Sequence, residues 1–64
     1  MDKEWMPFAT PQRAVVRWRG RGRSRYTRIL AWRRVDLRIE YLDDYGWIWE
    51  AGYHEHRPHF VRFV

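Results

Sequence analysis

Arginine recurs at every second position through the first half of the chain, at Arg17, Arg19, Arg21, Arg23 and Arg25, and Arg28 follows closely. In extended backbone that spacing sets the first five on one side. A guanidinium is planar, permanently charged and bidentate toward phosphate. A row of them predicts contacts to a phosphate backbone, with affinity driven by counterion release. Trp18 and Tyr26 interleave with the row, where they can stack on bases or support the guanidiniums. The candidate nucleic-acid-binding set is therefore Arg17, Arg19, Arg21, Arg23, Arg25, Arg28, Trp18 and Tyr26. The plainer alternative is a solvated basic face, or one neutralised by acids elsewhere in the chain.

Three other groupings carry chemically capable side chains. His54, His56 and His59 lie close enough in sequence to hold a metal with an open fourth position. His-x-His-x-x-His is a short and common pattern, however, and Glu55 points away from both neighbouring imidazoles in a strand. The expectation is surface or inter-strand histidines, with no metal. Glu40, Asp43, Asp44 and Glu50 are paired carboxylates, which do acid–base work only where their environments separate their pKa values. Here no pocket is implied, and Asp43 and Asp44 suit a turn. The reading is non-enzymatic, with no cofactor. Trp32, Trp47, Trp49, Tyr41, Tyr45 and Tyr53 are expected mostly in the core, with a surplus left for an interface.

The elements that must position these groups have to fit in 64 residues. That length bounds the chain to one domain, read as an arm over 1–12 and a β body over 13–64. There is no cysteine, so aromatic side chains, 19% of the chain, must do much of the work of the core. Oligomerisation is the other common support at this size. Absence of cysteine, a polar N-terminus without an apolar signal core and no membrane-length apolar run fit a soluble cytoplasmic protein. A chain that starts on Met and ends on a strand reads as a complete small open reading frame.

The net charge is +5, and it is segregated. Nine arginines and no acid lie between Arg13 and Arg34, whereas five acids and no Lys or Arg lie between Glu40 and Glu55. Pro7 and Pro11 argue against a regular helix or a central strand in the arm, with Trp5, Met6 and Phe8 docking on the body. Residues 13–19 alternate as a strand, with Val16 and Trp18 on one face and Val15, Arg17 and Arg19 on the other. Gly20 and Gly22 mark a loop. Residues 26–34 favour a strand. Residues 35–42 alternate as a half-buried strand, with Val35, Leu37, Ile39 and Tyr41 on its apolar face.

Asp43-Asp44-Tyr45-Gly46 predicts a tight hairpin with Gly46 in the left-handed region. With Asp43 facing Trp47, Tyr41 pairs with Trp49, Ile39 with Ala51 and Leu37 with Tyr53. The same register sets Glu40 opposite Glu50, which requires an Arg from a neighbouring strand between them. Pro58 ends the ribbon, and residues 60–64 form a last strand. The fold class is all-β, a small antiparallel meander of four or five strands, of which an SH3-like barrel is one closed form.

Three short likenesses accompany these residues. The Arg19-Gly20-Arg21 step resembles the centre of the AT-hook, with Trp18 and Gly22 where that motif has prolines, and implies minor-groove contact. The run Val16-Arg17-Trp18-Arg19-Gly20-Arg21 with Tyr26, Ile29, Leu30, Trp32 and Arg33 resembles small Arg- and Trp-rich β modules associated with polymerase-like DNA-repair proteins of actinobacteria. The hairpin from Arg38 to His54 is similar to the terminal strands of the RelE/ParE toxin fold, without the helices that precede them there. The function expected is phosphate-dominated binding of DNA or RNA. The alternative is a protein-binding module whose arginines face an acidic partner surface, such as an inhibitor encoded by a phage or mobile element. A homo-oligomer is compatible with either, and no membrane partner is expected.

Overall fold

The side chain of Asp43 accepts four hydrogen bonds, from two neighbouring strands and from the turn that follows it. In the computed structural model, which describes residues 4–18, 23–52 and 57–64, its carboxylate is buried. Oδ1 accepts from the backbone N–H of Tyr45 and of Trp47, both at 2.9 Å. Oδ2 accepts from the indole Nε1 of Trp49 at 2.8 Å and from the Thr27 hydroxyl at 3.3 Å. Asp43 thus shapes the turn that follows it and ties three strands together.

Those strands belong to a ring of five: β1 (Met6–Arg17), β2 (Ser24–Val35), β3 (Arg38–Asp43), β4 (Ile48–Ala51) and β5 (His59–Phe63). Each pairs with the next, and β5 returns to β1. The all-β expectation holds, and no helix occurs among the described residues. The ring is not wholly antiparallel: β4 and β5 run parallel through Glu50↔His59 and Ala51↔Phe60. A strand's residue pattern reads the same in either direction, so only the path of the chain reveals this.

The predicted β3–β4 hairpin forms in the expected register, with Tyr41 opposite Trp49 and Glu40 opposite Glu50. Asp43 N–H donates to the Trp47 carbonyl at 2.9 Å, and Gly46 takes φ +87°. The next expected pairing, Ile39 with Ala51, does not follow, and that of Leu37 with Tyr53 involves a residue outside those described. The ladder ends at Glu40↔Glu50. Residues 35–42 are not one strand, because the chain reverses at Asp36 and Leu37 between the paired residues Val35 and Arg38. Asp36 carries φ +55°, a conformation that Asp adopts more readily than most residues. Leu37 is fully exposed at the tip rather than on an apolar face.

The arm is also corrected, since β1 begins at Met6 and contains both prolines. Pro7 stands opposite Ala31, and Pro11 lies where the β1–β2 register shifts between Pro7 and Gln12. Pairing with β5 begins only at Ala14. Over its first half β1 therefore has one neighbour, and a missing N–H disrupts little there. Phe8 packs against the core and Trp5 is half-buried, as expected, while Met6 is exposed.

The core is small: Ala14, Val16, Ile29 and Trp49, with Phe8, Tyr41 and Phe60 packed around it. Tyr41, Phe60 and Phe63 form one ring cluster, with centroids 4.4 to 5.5 Å apart. Of the aromatics expected inside, Trp47 and Tyr45 are exposed instead. Both belong to the β3–β4 turn segment, where no strand covers them.

Asp43→Asn leaves one acceptor oxygen where two are used and presents an NH2 group to donors. It is expected to cost roughly 2–4 kcal/mol in urea unfolding, by the usual value of charged hydrogen bonds. An unchanged midpoint would show that the carboxylate is not the organising group. Burial raises the Tyr41 phenol above its ordinary pKa of 10.0. The unfolded chain then loses that proton first. The contribution is present in full below the ordinary value and is lost as pH rises through the folded-state value. Tyr41→Phe should flatten the loss of stability above about pH 10, followed by thermal unfolding across that range.

Candidate nucleic-acid interface

Residues directly opposite in a β ladder share a face. Across β5, β1 and β2 the register aligns Arg62, Val15 and Tyr26 in one row. The adjoining β1–β2 row on the same face pairs Arg13 with Arg28. Val15 is buried at the floor. Tyr26 stands over it, 58% exposed, with the Arg13 guanidinium 4.5 Å from its ring centroid.

Two grooves flank Tyr26. One, of about 470 Å³, is lined by Arg13, Tyr26, Thr27, Arg28, Asp44 and Tyr45. The other, of about 170 Å³, is lined by Val15, Arg17, Ser24, Arg25, Tyr26, Val61 and Arg62. The first contains one carboxylate, Asp44, and the second contains none.

The arginines fall into two classes. Arg33 Nε reaches Glu40 Oε1 at 2.8 Å, and its guanidinium lies 4.2 Å from the Trp5 ring centroid. Arg38 lies 3.8 Å from Glu40 and 3.9 Å from Glu50, and Arg57 lies 3.4 Å from Glu50. These three supply the counter-charge that the facing glutamates require, and Arg33 comes from the neighbouring strand β2. By contrast Arg13, Arg25, Arg28 and Arg62 have no carboxylate ion pair among the described residues. The principal acids of the second half are thus engaged internally while these guanidiniums reach solvent.

The predicted row of five is not a single side of one strand. Arg17 ends β1 and donates from Nε to Ser24 Oγ at 3.1 Å. Arg17 stands opposite Ser24, and Arg25 stands opposite Val16 on the other side of the sheet. The Arg25 guanidinium lies 5.6 Å from the Trp47 ring centroid. The reason is the antiparallel register, which pairs Arg17 with Ser24 rather than with Arg25. Arg23 is exposed just before β2, and Arg28 shares the Tyr26 face. Trp18 follows β1 and packs on Trp47 and Trp49. Arg19 and Arg21, with the AT-hook-like step, lie outside the described residues.

Arg13, Arg62 and Tyr45 stand outside the set expected from sequence. Arg13 has a local signal, because it shares strand parity with Val15 and Arg17. Arg62 has none, since its place depends on β5 returning beside β1. His54 and His56 lie outside the described residues. His59 is buried, with Nδ1 3.1 Å from the Arg57 carbonyl oxygen.

No protein-family model, no curated protein and no solved structure matches the chain. The functional reading therefore rests on the chain's own geometry.

The two classes of arginine predict different responses to charge removal. Arg33→Gln leaves the buried Glu40 without its closest partner and should lower stability by roughly 1–3 kcal/mol. Arg28→Gln should leave the urea midpoint within error. Equal losses in the two variants would contradict the division.

Proposed function

We propose that this chain is a small, non-enzymatic basic β module that binds nucleic acid mainly through backbone phosphates. The observation that carries this reading is the exposed face formed by Arg13, Arg28 and Arg62 around Tyr26. None of these guanidiniums has a carboxylate ion pair among the described residues. Arg17, Arg23 and Arg25 add charge at its border, and Arg19 and Arg21 add charge in sequence between them. Phosphate contacts position a ligand without reading its sequence, so selectivity among sequences should be low. The engagement of Asp43, Glu40 and Glu50 by structural donors supports a binding role over acid–base catalysis.

Exposed Tyr26 and Tyr45 beside arginines are also the composition of a protein hot spot. That supports, as the second reading, a module that docks on an acidic protein surface. A complex isolated from cells that survives nuclease treatment would favour it. No helix among the described residues is long and apolar enough to cross a membrane.

The test is titration of a labelled oligonucleotide, followed by anisotropy, between about 50 and 200 mM salt. The unaltered chain should bind with an affinity that falls steeply with salt. The variant carrying Arg13→Gln, Arg28→Gln and Arg62→Gln should bind more weakly at low salt. Its log–log salt slope should be shallower by about 2–3, at roughly 0.7–0.9 for each phosphate that is no longer neutralised. Affinity and slope unchanged in the triple variant would overturn the proposal.

A further inference from the structure

Beside the basic face is a recess that phosphate binding does not use. It measures about 370 Å³ and is lined by Trp18, Gly46, Trp47, Ile48, Trp49 and Pro58, without a charged side chain. That volume is within the range of small-ligand sites, roughly 300–1,000 Å³. Its rigid wall is Trp49, buried and fixed through Nε1 to Asp43 Oδ2 at 2.8 Å. Trp18 packs on Trp49 at 5.4 Å and on Trp47 at 4.5 Å between centroids, with the ring planes inclined by 58° and 62°. Trp18 and Trp47 nevertheless remain 41% and 42% exposed. Two large aromatic surfaces are thus held in place yet left open.

Arg25 connects this recess to the basic face. Its guanidinium lies 5.6 Å from the Trp47 centroid, and the same residue lines the groove shared with Arg17, Tyr26 and Arg62. A cation at the rim disfavours a cationic guest, which an aromatic recess alone would attract. It favours an aromatic group that is covalently joined to an anion. A nucleotide is such a ligand: a flat base with a phosphate attached.

Building on the phosphate-binding reading, we infer that the Trp18–Trp47 recess takes an unpaired base, so that the preferred ligand is single-stranded nucleic acid. A strand whose phosphates follow Arg62, Arg17 and Arg25 then places a base on the exposed indoles. Bases within a duplex are stacked on one another and do not present their faces, whereas single strands do.

The experiment compares three ligands of equal length at one salt concentration: an oligothymidylate, a duplex, and a strand of abasic deoxyribose phosphates. Tryptophan fluorescence and anisotropy are read together. The oligothymidylate should bind about tenfold tighter than the other two, the order contributed by one stacked base, and should quench tryptophan emission. Trp47→Ala should remove that preference and leave duplex binding in place, and Trp47→Phe should restore most of it. Equal affinity for all three ligands, or equal weakening of all three in Trp47→Ala, overturns the single-strand assignment while leaving the phosphate face standing. No binding of any ligand at low salt overturns both. The abasic strand supplies the comparison without altering the protein, so the outcome holds even if Trp47→Ala fails to fold.

Discussion

A single buried carboxylate organises this domain. A chain of 64 residues has little apolar material to enclose, and its fully buried aliphatic residues are only Ala14, Val16 and Ile29 among those described. Removing a charge from water is costly unless donors replace the lost solvation. Asp43 receives four: two backbone N–H groups, one hydroxyl and one indole. The same bonds that satisfy it join β2 to β4 and fix the β3–β4 turn. They also fix Trp49, and through Trp49 the packing of Trp18 and Trp47. The recess on the surface is therefore a consequence of a charge in the interior.

The segregation of charge in the sequence becomes a segregation of roles in the fold. Glu40 and Glu50 face each other across β3 and β4, a repulsive arrangement that Arg33, Arg38 and Arg57 offset. These pairs hold Glu40 and Glu50 against arginines from β2, β3 and the segment before β5. Arg13, Arg25 and Arg28 of the β1–β2 ribbon, together with Arg62 of β5, make no such pair among the described residues and face water. Net charge alone would not distinguish this from a uniformly basic surface; the pairing does.

Much of the β3–β4 hairpin was legible in the sequence because its determinants are local. Turn residues at 43–46 set the loop, period-two alternation set the faces, and the opposition of Glu40 and Glu50 required an arginine that Arg33 supplies. What was not legible depended on neighbours distant in sequence. Pro7 and Pro11 exclude a central strand, and that β1 still runs through them depends on its lacking a second neighbour before Ala14. The reversal at Asp36 carries no glycine and interrupts an alternation that reads as continuous. Arg25 leaves the side of Arg17 because the β1–β2 register pairs Arg17 with Ser24, and Arg62 joins the face only through ring closure. Local rules gave the β3–β4 hairpin and the charge, and the closing of the ring selected which charges share a surface.

The central claim is that the arginines divide into a structural set and a ligand-facing set. The most direct measurement is NMR of the arginine side-chain Nε–Hε signals during titration with a short single-stranded oligonucleotide. The account predicts that the signals of Arg13, Arg28 and Arg62 move with added ligand while that of Arg33 stays fixed. Movement confined to Arg33, Arg38 and Arg57, or no arginine response at all, would contradict it.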